Sequence, residues 1–274
     1  MRYRTIFISD THLGTRGCKA DLLLDFLAGH DAEYIYLVGD IVDGWRLRRG
    51  WLWPQAHNDV VQALLAKAQD GAKVFYIPGN HDEMMRSYLG THFGGIEVMA
   101  TATHVTADGR KFLVTHGDQF DSIVVHAKWL ALLGDHAYVF ALWLNTKTNK
   151  LRQLWGGQYW SLSKWAKQQV KQAVNFISEY EKVLSAEARR GHFDGVICGH
   201  IHSANISKMN GIDYVNTGDW VESCTAVVER FDGSLHLIDW AGVKRRRQIV
   251  RDARAAGIAP AELRERRKRK REDA

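Results

Sequence analysis

Residues 34–43 read YIYLVGDIVD, an apolar run of strand length that ends at Gly39-Asp40. Three other short apolar runs in the first 120 residues end in the same way, at Asp10, Asn80 and His116. Amphipathic segments separate these runs, and the one at Gln55–Gln69 has apolar residues at helical spacing. Strands that alternate with helices predict a layered α/β fold. Ligands bind beyond the carboxyl ends of strands in open α/β sheets, so these polar residues predict a binding site.

The composition is that of an ordinary globular protein, with 46% hydrophobic and 25% charged residues among 274. Three cysteines are too few for a disulfide framework, which favours a reducing compartment. The chain reaches Asp10 too early for the apolar part of a signal peptide. It also has no run of 18 uncharged apolar residues that would predict a membrane-spanning helix. We therefore expect a cytoplasmic protein.

The net charge of +6 is unevenly placed along the chain. Residues 244–274 hold 13 Lys and Arg against 5 Asp and Glu, so the remaining 243 residues carry a net charge of −2. A basic tail on a slightly acidic core gives poor grounds for a nucleic-acid-binding function. The run at 262–273, ELRERRKRKRED, is typical of a solvated tail. The alternative is electrostatic attachment to an anionic membrane surface.

Residues 122–190 differ from the flanking sequence, because they are helical by composition and no strand signal appears before Gly195–Cys198. We interpret them as a helical insertion between two parts of one core, residues 1–121 and 191–243, with the basic tail at 244–274. Large apolar residues and lysines occur together in the insertion. It is either an ordinary helical subdomain with its own aromatic core or a lid that receives a ligand with apolar and anionic parts.

Five short clusters of Asp, Asn and His follow predicted strands: Asp10-Thr-His12, Gly39-Asp40-Ile-Val-Asp43, Gly79-Asn80-His81-Asp82, His116-Gly117-Asp118 and Gly199-His200-Ile-His202. Each is weak alone, since Asp and Asn are common in turns and helix caps, but five together are hard to explain as turn formers. Asp, Asn and His without Cys suit Mn²⁺, Fe²⁺, Zn²⁺ or Mg²⁺. A pair of such ions, bridged by a carboxylate, can clamp a phosphoryl group during hydrolysis.

In order and spacing, the clusters D-x-H, GD-x-x-D, GNH-D, HGD and GH-x-H resemble those of the calcineurin-like metallophosphoesterase superfamily over roughly residues 5–240. Within it, the chain is most similar to the UDP-2,3-diacylglucosamine diphosphatase group of lipid A biosynthesis. The shared features are the size, the early Asp-Thr-His-Leu-Gly, Trp45 after the GD cluster and a helical insertion after HGD. The resemblance implies an α/β sandwich of two mixed β-sheets flanked by helices, with an inserted helical lid.

The resemblance also implies a role for each residue of the clusters. His81 would protonate the leaving group or contact a phosphate oxygen, and Asp82 would orient His81. Two divalent ions, with Mn²⁺ as the first candidate, would share a bridging hydroxide that attacks phosphorus. The first ion would be held by Asp10, His12 and His202, the second by Asn80, His116 and His200, and both by Asp40 as the bridging carboxylate.

The implied reaction is hydrolysis of the diphosphate of UDP-2,3-diacylglucosamine to UMP and an acylated sugar 1-phosphate, by a protein attached peripherally to the inner membrane. The diphosphatase group has Arg where this chain has His81, which leaves an alternative. The alternative is a phosphomonoesterase or phosphodiesterase of the same superfamily that acts on another lipid phosphate, a nucleotide or a phosphoprotein. A non-catalytic binding module is the second rival. The candidate substrate contacts are Asn80, His81, Asp121, Ser163, Lys164, Lys167, Arg46 and His200.

Overall fold

The computed structural model of the chain describes residues 1–121 and 162–255, except for the side chains of residues 162–170, 172, 173 and 253–255. Within these residues the strands form two sheets. The strands are β1 (Arg2–Ile8), β2 (Asp31–Val38), β3 (Lys73–Ile77), β4 (His92–Phe93), β5 (Ile96–Val98), β6 (Ala102–Val105), β7 (Lys111–Val114), β8 (Gly195–Cys198), β9 (Asn205–Met209), β10 (Ile212–Asn216), β11 (Thr225–Glu229) and β12 (Leu235–Asp239). The α-helices are α1 (Ala20–Gly29), α2 (Gly44–Arg49), α3 (Gln55–Gln69), α4 (Leu162–Arg190) and α5 (Trp240–Ala255).

The first sheet has the strand order β12-β11-β1-β2-β3-β5-β4, and the second has the order β6-β7-β8-β10-β9. In the first sheet β1, β2, β3 and β5 are parallel, with antiparallel pairing of β11 and β12 on one side and of β4 on the other. In the second sheet β7, β8 and β10 are parallel and lie between antiparallel β6 and β9. Both sheets are therefore mixed, and helices flank them, which confirms the predicted α/β sandwich.

The central strands are buried on both faces, because helices cover one face and the second sheet covers the other. In β1, Ile6 and Ile8 belong to one buried cluster with Phe26 of α1 and Val60 of α3. Phe7, between them in the sequence, belongs to a different cluster that lies between the two sheets. This double burial explains why the central strands are continuous apolar runs in the sequence rather than alternating ones.

The helix α4 covers the outer face of the second sheet. Its Tyr180 and Leu184 are fully buried and form one cluster with Val196 of β8 and Tyr214 of β10. Residues 122–161 lie outside the described part of the chain, as do the side chains of α4 up to residue 170. The inserted lid, and the division into 1–121, 122–190 and 191–243, therefore stay predictions.

The helix α5 begins at Trp240, before the predicted tail at 244–274, and its first turns contact the core. The Trp240 Nε1–H donates to the Asp25 carboxylate at 3.0 Å, and Lys244 Nζ lies 3.1 Å from the same carboxylate. The predicted tail therefore starts within a helix, and residues 256–274 lie outside the described part. Among the helices within 1–121 and 162–255, none combines the length and the hydropathy needed to cross a bilayer.

Candidate metal centre

The five predicted clusters meet at one edge of the sandwich, beyond the carboxyl ends of the parallel strands. In the first sheet Asp10 follows β1, Asp40 follows β2 and Asn80 follows β3. In the second sheet His116 follows β7 and His200 follows β8. Because parallel strands end on the same side of a sheet, distant segments of the chain bring their polar side chains together here.

The backbone of these turns is bent into a conformation that L-residues rarely adopt. Among the described residues, eight other than glycine have a positive φ, and five of the eight are predicted ligands. Strained backbone of this kind concentrates at functional sites, where it directs a side chain that a regular turn would direct elsewhere. The five are Asp10, His12, Asp40, His200 and His202, with φ between 49° and 72°.

One group of candidate ligands consists of Asp10, His12 and His202. Asp10 Oδ1 lies 3.1 Å from His202 Nε2, and the Nε2 atoms of His12 and His202 lie 3.3 Å apart. Asp10 is fully buried, and its Oδ2 accepts hydrogen bonds from the His200 N–H at 2.9 Å and from the Ser9 hydroxyl. No described residue donates a hydrogen bond to Oδ1. That oxygen and the two imidazole nitrogens form a set that a divalent cation can bind.

A second group consists of Asp40, His116 and His200. The His116 Nδ1–H donates to the Val38 carbonyl at 2.8 Å, which directs Nε2 into the group. This Nε2 lies 3.4 Å from Asp40 Oδ2, and it is buried without a hydrogen-bond partner in the part of the chain that the structure describes. His200 Nε2 lies 2.7 Å from Asp121 Oδ1.

Asp40 lies between the two groups. Its Oδ2 is 3.4 Å from His116 Nε2 on one side and 3.9 Å from His12 Nε2 on the other. Its Oδ1 accepts a hydrogen bond from the His81 N–H at 2.8 Å, which fixes the carboxylate. A Cβ at Gly79 would collide with the same carboxylate, so this turn requires glycine. A carboxylate that bridges two ions needs such a position.

The carboxylates of this centre are buried but remain ionised. Burial would raise the pKa of Asp40, but the neighbouring imidazole groups, that of His116 first, hold it well below its usual range. The pKa of Asp10 is also lowered, because contacts with His202 and His116 outweigh the effect of burial. In return, Asp40 raises the pKa of His116 to about 10 although burial opposes the shift. Buried negative charge therefore needs a positive partner here, and divalent cations can fill this role.

Among the predicted metal ligands, three buried atoms have no hydrogen-bond partner within the described residues: Asp10 Oδ1, Asn80 Oδ1 and His116 Nε2. Buried polar atoms are rarely left unsatisfied, because the desolvation penalty is then uncompensated. Three such atoms at one edge of the sheets could be coordinated by a cation. The oxygen and imidazole donors fit a pair of divalent ions of the Mn²⁺, Fe²⁺ or Zn²⁺ type.

His81 lies beside both groups, and the carboxylate that contacts its ring is that of Asp43. Asp43 Oδ2 lies 3.1 Å from His81 Nδ1 and 3.3 Å from His12 Nδ1, while Oδ1 caps α2 by accepting from the Arg46 N–H at 2.7 Å. Burial lowers the pKa of His81, but the contacts with Asp43 and Asp40 outweigh it and the pKa is raised. The sequence analysis missed this contact, although Asp43 is the second Asp of the GD-x-x-D cluster.

Asp82 does not orient His81, and this expectation from the resemblance is wrong. The buried Asp82 carboxylate accepts hydrogen bonds from the Ile41 N–H at 2.8 Å, the Gly79 N–H at 2.6 Å and the Tyr76 hydroxyl at 2.5 Å. Neighbouring side chains of this turn point to different sides, so His81 faces the centre while Asp82 faces the backbone. Asp82 therefore supports the turn that follows β2.

The predicted substrate contacts lie partly within the described residues. Asp121 reaches the centre and contacts His200, as noted above. Arg46 is exposed on α2, one turn of chain after Asp43. Asn80, His81 and His200 belong to the centre described above. Three others belong to the first turns of α4, and their side chains lie outside the described residues: Ser163, Lys164 and Lys167.

Comparisons with known proteins lead to one family. Residues 3–204 match the family model of the calcineurin-like phosphoesterases. A UDP-2,3-diacylglucosamine hydrolase of Shewanella sp. (strain ANA-3) is 26% identical over 245 residues, which cover 84% of this chain and 95% of that protein. The protein of the same name from Neisseria meningitidis serogroup A is 28% identical over 244 residues, which cover 83% of this chain and 93% of that protein.

A shorter match is more similar in sequence. A UDP-2,3-diacylglucosamine hydrolase of Xanthomonas campestris pv. campestris (strain B100) is 35% identical over 120 residues. The match covers 42% of this chain and 46% of that protein, so the chain spans less than half the length of this relative. The higher identity is therefore confined to one part of the molecule.

Proposed function

The chain belongs to the calcineurin-like phosphoesterase family, and from this premise we propose that it is a dinuclear metal-dependent phosphohydrolase. Its proposed substrate is UDP-2,3-diacylglucosamine, whose diphosphate it cleaves to UMP and an acylated sugar 1-phosphate. The observation that carries the proposal is the convergence of six predicted ligands in two groups, around buried atoms without a hydrogen-bond partner among the described residues. The names of the three relatives support the choice of substrate.

The two groups of side chains divide the proposed metal ligands between two ions. When bound, the ions activate a water molecule and neutralise the negative charge that develops on the phosphoryl group. Mn²⁺ is the proposed metal, because it accepts both oxygen and imidazole donors. The first ion is assigned to Asp10, His12 and His202, the second to Asn80, His116 and His200, and Asp40 is assigned to both.

His81 is the proposed general acid. Asp43 Oδ2 lies 3.1 Å from His81 Nδ1 and fixes the ring from one side. The opposite ring atom, Nε2, lies 4.0 Å from Asp40 Oδ2 and therefore faces the centre. An imidazolium in this position can donate its Nε2 proton to the oxygen of the leaving group. The ring is half-buried, so a bound phosphate ester can reach it.

The remaining substrate contacts and the location of the enzyme are part of the same proposal. Arg46 and Asp121 flank the centre, where they can contact the charged part of a nucleotide sugar. The segment 122–190, with Ser163, Lys164 and Lys167, is proposed as a lid that shelters the acyl chains. An enzyme with a lipid-linked substrate would act in the cytoplasm, attached peripherally to the anionic surface of the inner membrane.

His81 also supports an alternative within the same family. A histidine held by a carboxylate can protonate many leaving groups, so the centre is not restricted to a diphosphate. The alternative is a phosphomonoesterase or phosphodiesterase that acts on another lipid phosphate, a nucleotide or a phosphoprotein. It shares the metal centre with the first proposal and differs from it only in the substrate.

An assay with three substrates tests both proposals. Purified protein supplied with Mn²⁺ is incubated with UDP-2,3-diacylglucosamine, with bis(p-nitrophenyl) phosphate and with p-nitrophenyl phosphate. We expect release of UMP that stops after chelation and resumes when Mn²⁺ is returned. Fast cleavage of the simple esters without release of UMP would replace the first substrate by the alternative. No cleavage of any of the three by protein that has bound two ions would overturn the proposed function.

A further inference from the structure

A segment that projects beside the metal centre, residues 45–53 with the sequence WRLRRGWLW, contains most of α2 and the loop that follows it. We call this segment the α2 ridge. Trp51 is 77% exposed and Trp45 is 43% exposed. A folded chain normally covers most of so large an apolar side chain, so the α2 ridge is a candidate contact surface.

The α2 ridge also carries positive charge that no carboxylate of the described residues pairs. Arg46, Arg48 and Arg49 are exposed, and none of them forms an ion pair with a carboxylate within residues 1–121 or 162–255. Other arginines of the same molecule are paired: Arg4 with a glutamate at 2.7 Å and Arg86 with an aspartate at 2.6 Å. Within the part of the chain that the structure describes, Arg48 and Arg49 are therefore cations without a carboxylate partner, next to exposed indole rings.

The base of the α2 ridge is fixed to the core. Trp53 packs on the buried core and its ring contacts the His57 ring, with 5.7 Å between centroids. Leu47 packs on Gly14. Trp51 instead projects, and its ring lies 6.1 Å from that of Trp53. The exposed indole is thus presented by an ordered support, which lowers the entropy cost of docking.

The α2 ridge also borders the metal centre directly. The Trp45 ring lies 4.4 Å from the His81 ring, and the Trp45 Nε1–H donates to Glu83 at 3.4 Å. Asp43, which contacts His81, caps the helix at the start of the ridge. Any surface that receives the α2 ridge therefore lies next to the mouth of the centre.

We propose that the α2 ridge docks on an anionic lipid bilayer, with the Trp51 indole in the interfacial region and the Arg48 and Arg49 guanidinium groups on lipid phosphates. Trp favours the headgroup region of a membrane. Arg buries its apolar stem there while its charge stays among the headgroups, and each basic residue near an anionic surface strengthens binding by about fivefold. Cations that no described carboxylate pairs, beside an exposed indole, match a partner that is both negatively charged and apolar. Peripheral attachment to a membrane is part of the proposed function, on which this inference rests. The new element is the surface that docks, and vesicle binding measures it without reference to cleavage.

The first test compares two exposed aromatic residues in the full-length chain. Phe231 is 53% exposed in the turn between β11 and β12, at the end of the first sheet opposite the metal centre, and serves as the matched control. Trp51→Ala and Phe231→Ala are sedimented with phosphatidylcholine vesicles with and without phosphatidylglycerol. We expect Trp51→Ala to weaken binding to the anionic vesicles about tenfold and Phe231→Ala to leave it unchanged. Equal binding by both variants would overturn the proposal.

The second test reverses equal amounts of charge at opposite ends of the molecule. Lys73 and Lys111 are exposed at the first residues of β3 and β7, far from the ligands at the strand ends. We expect Arg48→Glu/Arg49→Glu to weaken binding to anionic vesicles by more than about 25-fold. Lys73→Glu/Lys111→Glu has the same net charge and should bind as the parent does. Equal losses in both variants would mean that net charge alone drives binding, and would overturn the docking surface.

The third test reports insertion at the α2 ridge itself, independently of the basic C-terminal segment. Gly50 has an extended backbone with φ 174°, and a Cβ there meets no atom within 4 Å. Gly29, exposed at the end of α1, has equally open surroundings and is the control position. Gly50→Cys and Gly29→Cys are each labelled with an environment-sensitive fluorophore. Burial raises the pKa of the native Cys18 and Cys198 thiols to about 12, which slows their labelling.

We expect the fluorescence of the label at residue 50 to shift to the blue on anionic vesicles and that of the label at residue 29 to stay constant. No shift at residue 50 while the protein sediments with the vesicles would overturn the proposal. Binding of a phosphate-rich RNA that is lost in Trp51→Ala, together with no vesicle binding, would also overturn it in favour of a nucleic-acid partner. Cleavage of bis(p-nitrophenyl) phosphate, measured with the same variants, distinguishes failure of the docking surface from failure of the proposed function. If cleavage is retained but the protein does not bind vesicles, only the docking surface is wrong. If the protein binds vesicles but the parent cleaves no ester, only the proposed enzymatic activity is wrong.

Discussion

Two buried clusters of charged side chains differ in how completely their hydrogen bonds are satisfied. Between the two sheets, the fully buried Glu229 carboxylate accepts hydrogen bonds from Arg4 at 2.7 Å, from the Thr5 hydroxyl at 2.5 Å and from the Ala107 N–H at 2.7 Å. His104 Nε2 lies 2.8 Å from the same carboxylate. In the metal centre, by contrast, three buried atoms of the predicted ligands have no hydrogen-bond partner among the described residues.

The difference separates a structural network from a binding site. A buried polar network that is complete holds neighbouring elements in place, and here it links β1, β6 and β11. An incomplete network at the same depth is costly unless something external completes it. The backbone shows the same contrast, because Glu229 and Arg4 lie in regular strands whereas Asp10 and Asp40 have positive φ.

The largest expected effect comes from Asp40→Ala in the metal centre. The variant lacks the carboxylate that lies between both groups of ligands, so we expect turnover to fall to background and bound metal to be lost. Elemental analysis and the phosphodiesterase assay measure the two effects. Asp232→Ala, on the exposed turn between β11 and β12, is the control and keeps both properties. Full metal content and turnover in Asp40→Ala would show that the Asp40 carboxylate is not needed to bind metal.

The next effect is on chemistry without loss of metal. His81→Ala removes the proposed general acid but none of the assigned ligands, so we expect turnover to fall by roughly 10²–10⁴-fold while the metal content stays the same. His92→Ala changes an exposed histidine of an edge strand and serves as the control. Metal loss in His81→Ala would instead show that His81 is a metal ligand.

In the network around Glu229 we expect a mutation to change stability without changing turnover. Glu229→Ala leaves the Arg4 guanidinium and the His104 ring without their carboxylate, which lowers the free energy of unfolding by about 3–5 kcal/mol. Turnover per folded molecule stays unchanged. Urea unfolding measures the first effect. Glu179→Ala, an exposed residue in a surface pair with Lys182, is the control and costs about 1 kcal/mol or less. A loss of turnover beyond the loss of folded protein would show that the clusters are coupled.

The smallest expected effect is the change with pH in the stabilisation that the Glu229 network provides. Burial would raise the pKa of Glu229, but hydrogen bonds from His104 and Thr5 outweigh it and hold the pKa below 4.5. Because the folded-state pKa is depressed, the stabilisation is present above this value and is lost as the pH falls through the folded pKa. The difference in unfolding free energy between the parent and Glu229→Gln is therefore constant near neutral pH. It narrows below about pH 4.5, by at most about 1.4 kcal/mol per pH unit. A difference that widens on acidification would contradict this account.

The sequence predicts the central strands well, because their burial on both faces makes them continuous apolar runs. The bounds expected for α3 and β8 are those of the structure, Gln55–Gln69 and Gly195–Cys198. The strands β4 and β5 are not predicted, because two and three residues are too short to show a period. The strand β5 pairs with β3, from which residues 78–95 separate it in the sequence.

The sequence also predicts part of the candidate site, namely the residues that follow the parallel strands. Polar residues that follow parallel strands share one edge, so the sequence predicts that Asp10, Asp40 and His116 lie close together. The partner of His81 is not predictable in this way, because Asp43 comes from a different turn and the adjacent Asp82 points elsewhere. Contacts between distant side chains require the folded structure.

One hydrogen bond joins the two halves of the metal centre: the His200 N–H, from one group of ligands, donates to Asp10 Oδ2 in the other. A cation that settles in either half therefore restrains the ligands of its neighbour before the second cation arrives, and by thermodynamic reciprocity the reverse also holds. Uptake of the pair is then expected to be cooperative.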